Sequence, residues 1–195
     1  MQPQTFVFFG IVGSGKGTQV KLLQEFLKKD GRECAYIGTG EIFRKLMESN
    51  NKSAKVLKQM VNAGKLIPDS DTNKLVADAV KSQFSPGKDL LFDGYPRTVP
   101  QSEYFADLMK SLPRKDIKII YLELSKEEAM KRNLLRGRHD DTPEGLAKRF
   151  DEYVNNVIPS MNYFKNKKGY VVHTINGEQT VENVHKDIIG ALGYK

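Results

Sequence analysis

"TFVFFGIVGSGKGTQV", residues 5–20, is the stretch whose reading decides the fold. Residues 5–10 are a short apolar run ending in glycine and read as a buried strand. Residues 16–31, "KGTQVKLLQEFLKKDG", place Val20, Leu23, Phe26 and Leu27 at helical spacing, with Gly31 as a stop. Between strand and helix, "GIVGSGKGT" (10–18) follows the G-x-x-x-x-G-K-[ST] phosphate loop up to Lys16, then has Gly17 in the hydroxyl position and Thr18 after it. Gly10, Gly13 and Gly15 let the backbone curl so that successive N–H groups point at phosphate oxygens. Lys16 is spaced to reach β/γ phosphates, and a hydroxyl after it can help hold Mg²⁺. A glycine-rich turn with a chance lysine is the plain alternative. The strand before and the helix after argue against it.

Outward from this loop, strand patterns recur at "CAYIGTG" (34–40), "DLLFDGYP" (89–96), "IKIIYLEL" (117–124) and "YVVHTING" (170–177). Helical patterns fill the intervals: "EIFRKLMES", "SAKVLKQMVNAG", "SDTNKLVADAVKSQF", "QSEYFADLMKSL" and "KEEAMKRNLLRG". A long one runs through "PEGLAKRFDEYVNNVIPSMNYFKNKKG", with Pro159 as a kink or break, and "TVENVHKDIIGALG" closes the chain. Strands alternating with helices predict an α/β fold: a parallel five-stranded sheet covered by helices on both faces. The 195 residues read as one domain. Residues 38–68 are helical without a strand, so a flap is expected there, inserted into a core of 1–37 and 69–195.

The composition, 39% hydrophobic and 28% charged, suits a soluble globule. No apolar run approaches the roughly 20 residues that span a bilayer. "MQPQTFVFFG" lacks the features of a secretory signal, so a cytoplasmic setting is expected. Cys34 is the one cysteine, which excludes an internal disulfide and any multi-cysteine zinc site; it is expected to be a small buried hydrophobe. The net charge of +7 suits an acidic partner without choosing among nucleotide, nucleic acid and membrane surface.

"GKGTQ" resembles the nucleoside monophosphate kinases, and the likeness continues in order through "TGEIFR", "AGKLIPD", "DGYPRTVPQ", "RGR-HDD" and "KRF". Over nearly the whole chain this is similar to the pattern of adenylate kinases. The resemblance implies a phosphate-loop NTPase core with a helical acceptor flap, and Mg²⁺-dependent in-line transfer from ATP to AMP giving two ADP. It assigns Gly13, Ser14, Gly15, Lys16, Gly17, Thr18, Arg132, Arg136 and Gly177 to the ATP site. Thr39, Arg44, Ile67, Gly94, Arg97, Gln101, Arg138 and Arg149 fall to the AMP site. The catalytic cations it implies are Lys16, Arg97, Arg136, Arg138 and Arg149. Asp93, at the carboxyl end of a buried strand, is placed to hold the metal through water. Phosphoryl transfer needs charge neutralised over the transferring oxygens and little covalent chemistry from protein, which suits several cations from separate segments. Arg44 and Arg97 can each fork onto a monophosphate, although Arg44 alone could be solvated helix charge, and Arg132 could simply pair with a nearby carboxylate.

One departure stands out. Only Gly137 separates Arg136 from Arg138, leaving a vestigial lid at about 136–141 and no cysteines for a zinc-binding one. His139 reads as a loop residue able to stack on adenine, and Asp140 and Asp141 as orienters of the arginines. A UMP/CMP kinase is the nearest rival. Thr39 and Gln101 favour adenylate, because the pyrimidine enzymes carry Ala and Asn there and a Gln amide can pair with an adenine edge. A guanine-nucleotide switch would need an Asn-Lys-x-Asp motif that "NKKG" (166–169) does not supply. A nucleic-acid-binding phosphate-loop protein rests on charge alone, without aromatics interleaved on a basic strand face. The expected partners are therefore small nucleotides, with no nucleic acid or membrane, acting on a monomer.

Overall fold

The computed structural model describes residues 2–48, 67–137 and 142–194. Five parallel strands form one sheet: β1 (Thr5–Gly10), β2 (Cys34–Gly38), β3 (Asp89–Asp93), β4 (Ile117–Glu123) and β5 (Tyr170–Asn176), in the order β2-β3-β1-β4-β5. Helices connect them: α1 (Lys16–Lys29), α2 (Thr39–Glu48), α3 (Asp69–Gln83), α4 (Val99–Lys110), α5 (Lys126–Arg136), α6 (Pro143–Glu152), α7 (Ile158–Asn162) and α8 (Val181–Ala191).

Strand pleat sorts the core into two layers, because successive side chains point to opposite faces. On one face Val7, Phe9, Ile37, Leu90, Phe92 and Ile119 pack with Val76 and Val80 of α3, Phe105 and Met109 of α4, and Met161 of α7. On the other, Phe6, Phe8, Leu91 and Ile120 meet Leu23 and Leu27 of α1 and Val184 and Ile188 of α8. Every residue of β1 is buried, as a central strand covered on both faces requires. A third cluster, of Ile11, Leu124, Ala129, Leu146, Phe150 and Tyr153, seats α5 and α6 over the carboxyl end of β1.

Some boundaries depart by two or more residues from the sequence expectation, among them that of α2, which begins at Thr39 rather than Glu41. The second strand ends at Gly38 and the third at Asp93, each several residues early, because the chain turns away into the site. α4 begins at Val99 rather than Gln101: Thr98 Oγ1 accepts from Gln101 N, and Pro100 sits in the first turn where its missing N–H costs nothing. Pro159 does interrupt its long helix, and the break is a π-helical turn over Tyr153–Val157 just upstream. The flap expected over 38–68 is described only at its ends, and Arg138, His139, Asp140 and Asp141 lie outside the described residues.

Register gathers the functional loops at one edge of the sheet. Gly38 pairs with Asp93, Asp93's neighbour on β1 is Phe8, and Gly10 pairs with Leu122. The chain leaves β1 toward β2 and later returns across β1 to β4, which opens a crevice at these carboxyl ends.

Candidate active site

The phosphate loop joins β1 to α1, and its glycines are used for space as well as for conformation. Gly13, at φ 86°, has no room for a side chain: a Cβ would meet Asn133 Nδ2 and lie 3.0 Å from the Ala129 carbonyl. Helix α5 therefore lies directly on the loop. Asn133, fully buried, donates from Nδ2 to the carbonyls of Val12 (3.1 Å) and Ala129 (2.6 Å) and so braces the turn.

The start of α1 differs from those of α4, α5, α6 and α8, and from α3, which follows Pro68 without a side-chain cap but carries Asp69 and Asp71 in its first turn. Thr98 caps α4, Ser125 caps α5, Thr142 caps α6 and Thr180 caps α8, each accepting a main-chain N–H. At α1 the cap is Gly15 in the left-handed conformation, with no side-chain bond and no acidic residue in the first turn. Helix N-termini carry unpaired N–H groups and a positive dipole end, so this one is prepared for an anion.

Lys16 is half-buried, and its Nζ folds back to donate to the carbonyls of Gly10 (2.5 Å) and Ile11 (3.2 Å). Burial pushes its ammonium down to about 8, against the opposing pull of Asp93 and with a smaller push from Arg97. The Ser14 hydroxyl, in a residue 3% exposed, has no hydrogen-bond partner among the described residues. Gly17 and Thr18 are exposed on the first turn of α1.

Across the crevice, the Gly94 carbonyl is a junction. Thr39 Oγ1 donates to it at 2.9 Å and Arg97 Nε at 2.7 Å. Gly94 has φ 75°, and a Cβ there would stand 2.8 Å from both the Arg97 guanidinium and Thr39 Oγ1, so only glycine fits. Thr39 is thus spent tying the start of α2 to the end of β3. Arg44 is exposed and curls back over the start of its own helix, its Nη1 3.5 Å from where a Gly40 Cβ would be. The peptide bond between Tyr95 and Pro96 is cis.

Gln101, 6% exposed, is held at both ends of its amide. Its Oε1 accepts from Arg97 N at 2.8 Å and its Nε2 donates to Asp69 Oδ1 at 2.7 Å. Ile67 lies two residues before Asp69 and is half-buried.

On the β4 side, Arg132 donates from Nε to Glu128 (2.7 Å) and from Nη1 to the Gly177 carbonyl (2.9 Å). The carboxylate pairing anticipated for Arg132 is therefore present, and the same contact joins it to Gly177. A Cβ at Gly177 would lie 2.7 Å from the Glu123 carbonyl, so the β5–α8 turn also needs its glycine. Arg136 is the exposed last residue of α5, and Arg149 is half-buried on α6, beside the buried Phe150 that anchors this helix over the loop.

Three contributors escaped the sequence reading: Asn133, Asp69 and Tyr36. Tyr36 Oη donates to Asp93 Oδ2 at 3.3 Å. Burial first, and then the Asp93 charge, push its phenol up to about 12. Its ring occupies the space that a Gly38 side chain would need, with Cζ 2.5 Å from an ideal Cβ. Alternation along β2 puts residues 36 and 38 on one side, so the pairing had a signal, though a faint one. Cys34 is half-buried, and burial pushes its thiol up to about 12.

The sequence model of the family described as "Adenylate kinase" matches residues 8–169. Along 179 residues the chain is 32% identical to the adenylate kinase of Oenococcus oeni, covering 91% of this chain and 93% of that one. The adenylate kinase of Flavobacterium psychrophilum is 33% identical over 186 residues, covering 92% and 93%. That of Bacteroides fragilis is 34% identical over 193 residues, covering 95% and 96%. A phosphate loop leading into an uncapped helix, facing an arginine-bearing turn and matched along almost its full length by these enzymes, places the chain in the adenylate kinase family.

Proposed function

We propose that this chain performs adenylate kinase chemistry with ATP at the phosphate loop and AMP at the Gly94–Gln101 turn. The observation that carries the reading is the start of α1, uncapped and without acid, with Lys16 folded into the loop beside Asp93 and Arg97. The loop amides and Lys16 bind the donor phosphates, since both present positive charge to an anion at the start of α1. Arg132, pinned between Glu128 and Gly177, borders the ATP site at the β5–α8 turn.

Arg97 and Arg44 hold the acceptor phosphate, and the Gly94 carbonyl aims Arg97 by taking its Nε. Thr39 and Ile67 line the acceptor side, and Gln101 reads the base. Arg136 and Arg138, at the vestigial lid of about 136–141, and Arg149 of α6 close over the transferring group, while the segment 38–68 serves as the acceptor flap. No protein nucleophile is required for direct in-line transfer.

Mg²⁺ fits the hard oxygens lining the loop, the Asp93 carboxylate and the Thr18 hydroxyl, with waters and phosphate oxygens completing its preferred coordination. Bound with ATP, it neutralises charge on the phosphates. Asp93 would hold it through water, and Tyr36 keeps that carboxylate in place. We propose a monomer, and the single cysteine suits a reducing cytoplasm. Among the described residues no helix is long and apolar enough to cross a membrane.

Steady-state assays with ATP against AMP, UMP, CMP and GMP test the acceptor assignment. AMP should turn over fastest. Preference for UMP or CMP would move the assignment to a pyrimidine kinase of the same fold.

A further inference from the structure

Asp69 is the first residue of α3, and its carboxylate faces away from its own helix toward α4. One oxygen accepts from Gln101 Nε2 at 2.7 Å and the other from Thr98 Oγ1 at 2.9 Å. Thr98 in turn accepts from Gln101 N at 3.2 Å, so the residue that caps α4 also steadies the carboxylate. Gln101 Oε1 takes the Arg97 N–H at 2.8 Å.

These partners leave the amide a single orientation. A main-chain N–H can only donate and a carboxylate can only accept, so both clamps demand the same placement of oxygen and nitrogen. Turned over, the amide would set N–H against N–H at Arg97 and oxygen against carboxylate at Asp69, with buried polar groups left unpaired.

That orientation bears on the choice of base. After both clamps are made, Gln101 retains one N–H and one oxygen lone pair, at fixed positions. A 6-aminopurine shows an exocyclic donor beside a ring-nitrogen acceptor. A 6-oxopurine shows a carbonyl acceptor beside a ring N–H. One amide can serve either pattern in a given pose only by exchanging its oxygen and nitrogen. We propose that Asp69 is a specificity-positioning residue, which holds the Gln101 amide in the orientation that accepts a 6-aminopurine and rejects a 6-oxopurine. The proposal rests on Gln101 reading the acceptor base.

Calorimetric binding of AMP and IMP tests it, because the two differ in this edge and share the phosphate. Asp69→Ala and Asp69→Leu should each lower the AMP-to-IMP affinity ratio about tenfold, with ATP affinity unchanged. Asp69→Asn should retain the ratio, since its amide oxygen can accept from Gln101 in the same place. In the nucleotide-free protein, the Gln101 side-chain amide protons should be protected from exchange and lose that protection in Asp69→Ala. Two results overturn the proposal differently. A parental ratio in Asp69→Ala and Asp69→Leu, with the ratio collapsed in Gln101→Ala, would show that Gln101 reads the base without Asp69. A parental ratio in all three would remove Gln101 as the reader, and the acceptor assignment beneath the proposal with it. Undiminished protection in Asp69→Ala also counts against the clamp.

Discussion

The phosphate loop and the acceptor turn lie side by side at the carboxyl ends of β1 and β3, yet they handle polar groups in opposite ways. Around the loop the groups are left wanting. Helix α1 has no cap, Ser14 Oγ has no partner among the described residues, and Lys16 is a desolvated cation making do with two main-chain carbonyls. Around the Gly94–Gln101 turn they are tied to one another: Thr39, Gly94, Arg97, Thr98, Gln101 and Asp69 form an almost continuous chain of hydrogen bonds that fixes the donors and acceptors left over. Under the proposed assignment, the difference bears on how each ligand is chosen. A highly charged phosphate chain needs strength, which unpaired donors supply once water is displaced. A base needs discrimination, which a locked donor and acceptor supply.

The sharpest way to break this comparison is Lys16→Met, which should lower turnover on the order of a thousandfold. It should also raise the thermal midpoint, because a methionine fills the space without a buried charge. A midpoint that falls would mean the lysine stabilises the loop and is no stored potential at all. Circular dichroism melts beside steady-state turnover provide the check.

Arg97→Ala comes next. It removes a charge-assisted contact of about 1.5–3 kcal/mol, or roughly ten- to a hundredfold in AMP affinity. ATP affinity should hold. Collapse of ATP binding with AMP binding intact would exchange the two sites.

Lys16 also predicts a pH signature. With its free-state ammonium pushed down to about 8, it carries its proton below that pH and loses it above. Phosphate favours the charged form, so its value rises on binding. ATP affinity should stay level up to about pH 8, then fall about tenfold per unit, with proton uptake on binding in that range. Calorimetry in buffers of different ionisation enthalpy measures the uptake. AMP binding with the same profile would blur the contrast.

The smallest effect sharpens the comparison of helix ends. Thr180→Ala deletes the cap of α8 and should cost about 1 kcal/mol of stability with turnover unchanged. Helix α1 has no corresponding cap to delete. Urea unfolding resolves a change of this size.

Much of the fold was legible because the physics that sets it is local. The apolar run at 5–10, glycines at 10, 13 and 15, and the helical spacing from Val20 to Leu27 respond to chain neighbours, and they recover strand, loop and helix in order. Lys16, Asp93, Gly94 and Arg97 could be picked out as candidates for the same reason, since they lie in or next to the turns that follow β1 and β3. Thr98 as a cap was also open to reading, since Thr-Val-Pro-Gln has the capping-box spacing, but the helical pattern that starts at Gln101 does not reach back to it.

Other features exist only in three dimensions. Asn133 braces a loop 121 residues away, and Asp69 clamps a glutamine 32 residues away. Tyr36 reaches Asp93 because β2 pairs with β3 in a register that no local pattern encodes. By itself, then, the sequence determined the alternation of elements, the phosphate loop and the residue types able to neutralise phosphate. Tertiary structure decided which of those polar groups are satisfied and which are held in reserve, because hydrogen-bond pairing in a buried site depends on segments brought together only by the sheet.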